Sequence, residues 1–196
     1  MLLTTARKRE IEATVEALQA RHGDPSAIPA TYLEEVVRAV GYQLVDADLP
    51  AGVAGCCYPR SQRILLNRDL GSILTYDRAP QFRLATLAHE LGHAVLHEQL
   101  ILTGQAPAAV IEPEAQHFAA AFLVPRHLVL ARPEGAQLLR ARRARFRWSS
   151  GRVWRSVHRL AEVFQVTSTL MAWRLAELGV VDACEKRPCR LVLAVC

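Results

Sequence analysis

His89 and His93 stand four residues apart, with Glu90 beside the first, in the run Thr86-Leu87-Ala88-His89-Glu90-Leu91-Gly92-His93-Ala94-Val95-Leu96-His97. In an α-helix, residues four apart lie about 40° apart around the axis and about 6 Å along it. Two imidazoles on one face, one turn apart, can ligate the same small cation, as tetrahedral zinc requires. Glu90 then projects where it can take a proton from an activated water. Packing alone does not account for the polar cluster, because Leu87, Ala88, Leu91, Ala94, Val95 and Leu96 already supply an apolar face. The chemistry indicated is metal-assisted hydrolysis.

Two histidines do not hold a catalytic zinc, which needs a third protein ligand and an open position. A same-helix histidine six residues after His93, preceded by a glycine three residues after it, is ruled out by Leu96 and Gln99. His97 would have to reach back about 6 Å along the axis, so it reads as a supporting or structural residue. The third ligand is therefore expected from another helix. Glu114 is the first candidate, at the start of a small-residue helix whose N-terminal dipole favours a carboxylate. His117, one turn later, and Glu112 are the alternatives; Glu112 precedes Pro113 and is expected to be exposed.

These residues need a scaffold. Arg7 to Arg21 reads as an amphipathic helix with Ile11, Val15 and Leu18 on one stripe. A second helix spans Thr31 to Val40, with Thr31 and Glu34 as a capping box and Gly41 as its stop. Tyr42–Val45, Val53–Tyr58 and Arg63–Asn67 read as strands, the last two joined by a turn at Pro59–Gln62. A small antiparallel sheet is expected from them. After a loop over Asp69–Ala79, the motif helix runs from Pro80 to about Leu100. The next helix opens at Glu112-Pro113-Glu114 and ends at Pro125. Residues 137–160 form a basic helical stretch broken at Ser149-Ser150-Gly151, and residues 160–179 make the last regular element. The fold class is α+β. The expected organisation is a catalytic core over 24–135 with a helix at 7–21, a basic helical segment over 136–182, and a tail over 183–196.

Composition narrows the setting. The chain has 196 residues, enough to bury a proper core. No apolar run reaches the roughly 18 residues needed to span a membrane, and the N-terminus lacks a signal-peptide core; the expected location is the cytoplasm. Five cysteines, an odd number without a Cys-x-x-Cys pair, indicate no disulfide framework or zinc ribbon. Cys184, Cys189 and Cys196 read as reduced bystanders. Residues 1–98 carry 10 basic and 12 acidic side chains, net −2, whereas residues 99–196 carry 14 and 7, net +7.

Phe82-Arg83-Leu84-Ala85-Thr86-Leu87-Ala88-His89-Glu90-Leu91-Gly92-His93, followed by Glu114-Ala115-Gln116-His117-Phe118-Ala119-Ala120-Ala121-Phe122-Leu123-Val124-Pro125, resembles the ImmA/IrrE family of zinc metallopeptidases. The strand ending Leu65-Leu66-Asn67 and the segment from Phe164-Gln165-Val166-Thr167 to Leu178-Gly179 are also similar, so the likeness covers about residues 28–181. The resemblance implies a zincin-like fold, zinc as the metal, His89, His93 and Glu114 as its ligands, and Glu90 as the general base. It also implies a cytoplasmic endopeptidase that cleaves repressors of helix-turn-helix type and relieves repression. The chain departs from the family pattern at Gln116, where asparagine is usual, at Gln165, where glycine is common, and in its arginine-rich segment.

That segment sustains a second reading. Residues 140–159 hold eight arginines and no acid, interleaved with Phe146, Trp148 and Trp154, a composition suited to phosphate contacts. Residues 160–178 resemble a helix-turn-helix, with Ser168–Arg174 as its recognition helix. A DNA-binding regulator built on 140–178 is thus the alternative. The favoured expectation is a solvated arginine face, or a basic groove for an acidic protein substrate, because Leu170, Met171 and Trp173 leave little polar surface to read bases. For the peptidase, a peptide is expected along a free sheet edge. His117, His158, Tyr76 and Arg83 are candidate donors to a developing oxyanion.

Overall fold

Helix α1 (Thr5–His22) is started by Thr4, whose hydroxyl accepts from the Arg7 amide at 3.2 Å, and it buries Ile11 and Val15. Helix α2 (Ala30–Ala39) begins one residue before the expected cap, so Thr31 lies inside it. The computed structural model describes residues 3–23, 30–69, 79–105, 107–144 and 150–181.

Strands β1 (Gln43–Ala47), β2 (Gly55–Tyr58) and β3 (Arg63–Asn67) form a sheet in the order β1-β3-β2. The hairpin between β2 and β3 is antiparallel, as its turn indicates, with Cys57 opposite Ile64. β1, however, runs parallel to β3, with Leu44 opposite Ile64. The expected all-antiparallel sheet is therefore mixed. Ile64 and Leu66 are fully buried, which makes β3 the strand that gains most from neighbours on both sides. The connection from β1 to β2 carries the chain across it.

Helix α3 (Ala79–Leu102) crosses this sheet, tied to β1 by an Arg83–Asp46 ion pair at 2.7 Å. Helix α4 (Ala108–Leu123) packs along α3. Helices α5 (Arg126–Ala131), α6 (Pro133–Arg143), α7 (Ser150–Val163) and α8 (Ser168–Glu177) follow. One apolar core runs from Ile11 to Val180, with Phe118, Phe122, Leu91 and Met171 fully buried at its centre. Between α7 and α8 the backbone turns through Gln165 at φ +53°, in the left-handed region that favours glycine. Among the described residues no helix is long and apolar enough to cross a membrane.

Candidate metal centre

Helix α3 is buried on nearly every side between the sheet and α4, and its polar residues meet inside the molecule. His89, Glu90 and His93 are each no more than 5% exposed. The Nε2 atoms of His89 and His93 stand 3.0 Å apart, their rings edge to face. From α4, Glu112 brings Oε2 to 3.3 Å of His89 Nε2 and Oε1 to 3.0 Å of His93 Nε2. Among the described residues these three form the one group whose ligand-type atoms all lie within 4.8 Å of one another.

The close approach of α4 depends on small residues. A Cβ on Gly92 would sit 3.1 Å from Phe118 Cδ1 and 3.2 Å from Ala115 Cα. Ala115 therefore faces α3, and Glu112, three residues earlier, shares its face.

Glu114 stands elsewhere. It accepts from Arg7 Nε at 2.9 Å and Arg7 Nη2 at 2.6 Å, and it meets His97 Nε2 at 3.1 Å. The expected grouping of Glu114 with the histidine pair is thus replaced by Glu112. The reason is the start of α4: Pro113 is not a first-turn residue but lies inside a helix that begins at Ala108. Residues two apart on a helix lie about 200° from each other around the axis, so only one of the two carboxylates can face the pair. Glu112, expected to be exposed, is only partly so. Pro107 ahead of Ala108-Ala109-Val110 is the sequence signal for the earlier start.

Charge and burial oppose one another here. Burial would raise the Glu112 carboxyl, but the adjoining His89 and His93 imidazoles pull it down to about 2. Burial pushes the His93 imidazole below its ordinary value against the pull of Glu112. Glu90 is pushed up to about 8 by burial and by the Glu112 charge, against a hydrogen bond from the Cys57 backbone amide. Although so near His93, Glu112 Oε1 has no hydrogen-bond donor. The two imidazole nitrogens stand 3.0 Å apart and each has one oxygen of the Glu112 carboxylate within 3.3 Å, near the edge of about 3.3 Å in a tetrahedron with metal–ligand bonds near 2.0–2.1 Å. The residues fit a zinc-type cation: two imidazole nitrogens and one carboxylate.

Glu90 is positioned by the sheet. β2 is an edge strand, and Gly55 lets it touch α3: a Cβ there would lie 2.7 Å from Thr86 Cγ2 and 3.1 Å from Glu90 Cγ.

The other candidates have different partners. His117 lies buried between α1 and α8, 3.2 Å from Glu177 and 3.6 Å from Glu12. His158 bonds Ser168 at 2.7 Å, and Arg83 is committed to Asp46. Tyr76, Phe146, Trp148 and the three C-terminal cysteines lie outside the described residues. In α8, Leu170, Met171 and Leu175 are buried. Arg174 is buried as well, donating to Glu12 at 2.6 Å and to the Val124 carbonyl at 3.3 Å. Only Thr169 of that helix is fully exposed, so the helix that the DNA-binding alternative would use packs largely against the core, as the favoured expectation had it.

A buried His-Glu-x-x-His helix facing a carboxylate from the next helix is a site of metallopeptidase type. The Peptidase_M78 family model, described as the IrrE N-terminal-like domain, matches residues 53–176, and the chain belongs to that family. Among solved structures, a Mycobacterium tuberculosis transcriptional regulator is similar at a TM-score of 0.56 and 19% identity, over 86% of this chain and 46% of that one. The chain thus spans about half the length of that regulator, and at this identity the likeness concerns the fold. No curated protein matches the chain.

Proposed function

We propose that the chain is a zinc-dependent endopeptidase, with His89, His93 and Glu112 holding the metal and Glu90 acting as general base. The observation that carries this reading is the convergence of two imidazole nitrogens, 3.0 Å apart, on the Glu112 carboxylate, whose oxygens lie 3.0 and 3.3 Å from them, beside Glu90. A zinc ion at this position would acidify a water and polarise a scissile carbonyl.

The chain's own residues do the rest. Glu90 is aimed by the Cys57 amide and takes the carboxylate form more readily beside a cation. It accepts a proton from the attacking water and returns it to the leaving amine. β2, the edge strand whose face meets α3 at Gly55, is where an extended substrate can add as a further strand. Burial of the site on the remaining sides keeps bulk water from Glu90.

The substrate in this reading is a helix-turn-helix transcriptional repressor in the cytoplasm, cleaved to relieve repression. Support comes from the family and from the regulator that shares the fold. The DNA-binding alternative loses its base-reading helix to the core, which favours a protein partner for the basic segment. Metal analysis of the purified chain, together with incubation of the zinc-loaded protein with a helix-turn-helix repressor, tests both parts. About one zinc per chain and one cleaved peptide bond, absent with Glu90→Gln, are expected. A metal-free chain, or cleavage that persists in Glu90→Gln, overturns the reading.

A further inference from the structure

The back of the metal centre is as ordered as its front. His93 turns Nε2 toward His89 and Glu112, and its other nitrogen, Nδ1, lies 3.2 Å from Nδ1 of His97. His97, 1% exposed, places Nε2 at 3.1 Å from Glu114 Oε2. Glu114 is gripped by both prongs of the Arg7 guanidinium from α1, a fork suited to a carboxylate.

We propose that His97, Glu114 and Arg7 form a positioning relay that fixes the tautomer and orientation of His93 as a ligand, making α1 part of the metal centre. This rests on the metallopeptidase reading of His89, His93 and Glu112. With both imidazoles neutral, only one proton arrangement satisfies the whole chain. Glu114, paired with Arg7, is a carboxylate and can only accept. His97 must then carry its proton on Nε2 and accept on Nδ1. His93 must donate from Nδ1, which leaves the Nε2 lone pair free at the point where the metal would sit. Any other tautomer sets two protons or two lone pairs against each other. Hydrogen bonding at the far nitrogen is how proteins orient ligating histidines. The present chain adds a second imidazole between ligand and carboxylate.

Burying a carboxylate and an imidazole has a solvation cost that apolar side chains would avoid. A purely structural contact between α1 and α4 has no need of them, and Ile11 and Val15 already supply buried apolar surface on α1. Arg7 also lies outside residues 53–176, the span matched by the family model, so the relay reaches beyond the part of the chain that defines the family.

The test measures zinc affinity of the full chain by chelator competition, and His93 tautomers by long-range ¹H–¹⁵N spectra of the metal-free protein. The variants are His97→Phe, Glu114→Gln, Arg7→Met and Arg7→Lys, with Glu112→Gln as the comparison. If the wild type fails to bind one zinc, the metal-centre reading itself falls. If it binds one, Glu114→Gln and His97→Phe should each weaken zinc about 10- to 100-fold while keeping one site per chain. His93 should then lose its preference for the Nδ1–H form. Arg7→Met should weaken zinc less, and Arg7→Lys should recover part of that loss. Unchanged affinity and unchanged His93 tautomer in a folded Glu114→Gln or His97→Phe protein overturns the relay but leaves the metal centre standing. Loss of stoichiometric zinc in Glu114→Gln with retention in Glu112→Gln overturns it too, by making Glu114 the direct ligand.

Discussion

Glu112 and Glu114 are separated by one proline and about 200° of helix, and that angle decides which carboxylate can meet an ion. Glu112→Gln should therefore abolish stoichiometric zinc, measured by elemental analysis, without unfolding the chain. Glu90→Gln should keep its zinc and lose about 10²- to 10⁴-fold in peptide hydrolysis, since the proposed role of Glu90 is toward water and leaving group rather than the ion. His89, Glu90 and His93 were legible because their spacing is set within one helical turn and needs no tertiary information. The third carboxylate was not, because its direction depends on where α4 begins. A proline inside a helix looks locally like a helix start. Of the residues weighed as oxyanion donors, His117, His158 and Arg83 each have another partner, and Tyr76 lies outside the described residues.

Among the elements, the contact of β2 with α3 is the tightest constraint on Glu90. Gly55→Ala would drive a methyl into Thr86 and Glu90. It should cost about 1–3 kcal/mol of stability and lower turnover with zinc retained, read by denaturant unfolding beside a peptidase assay. Gln165 offers the opposite case. At φ +53° a glycine fits without strain, so Gln165→Gly should leave stability unchanged or raise it by up to about 1 kcal/mol. Gln165→Val, with a branched Cβ in the left-handed region, should lower it. Most element boundaries could be read from periodicity and turn residues. The pairing of β1 could not, because strand order is decided by what β3 must bury rather than by any residue of β1.

At the scale of the whole molecule, a polar seam joins α1, α4 and α8. Lys8 pairs with Glu177, Arg174 with Glu12, and His117 lies between the two carboxylates. Burial alone would raise the Glu177 carboxyl, but hydrogen bonds from His117 and Lys8 hold it below its ordinary value. A carboxyl depressed in the folded state adds stability above its unfolded-state value, about 4.3, and loses it as pH falls through the folded value. Glu177→Gln should be less stable than the wild type at pH 7 by about 1–3 kcal/mol. That gap should close as pH falls through the lowered Glu177 value, below the ordinary carboxylate range, as followed by urea unfolding across pH. The same seam has a temporal meaning. Arg7 is translated 107 residues before Glu114, and Lys8 169 residues before Glu177. Contacts so distant along the chain close late in folding, and a helix near the ribosome exit must wait for partners not yet made. If His93 holds a metal as proposed, its brace on α1 and the anchor of α1 on α8 cannot both close before Glu177 has been made.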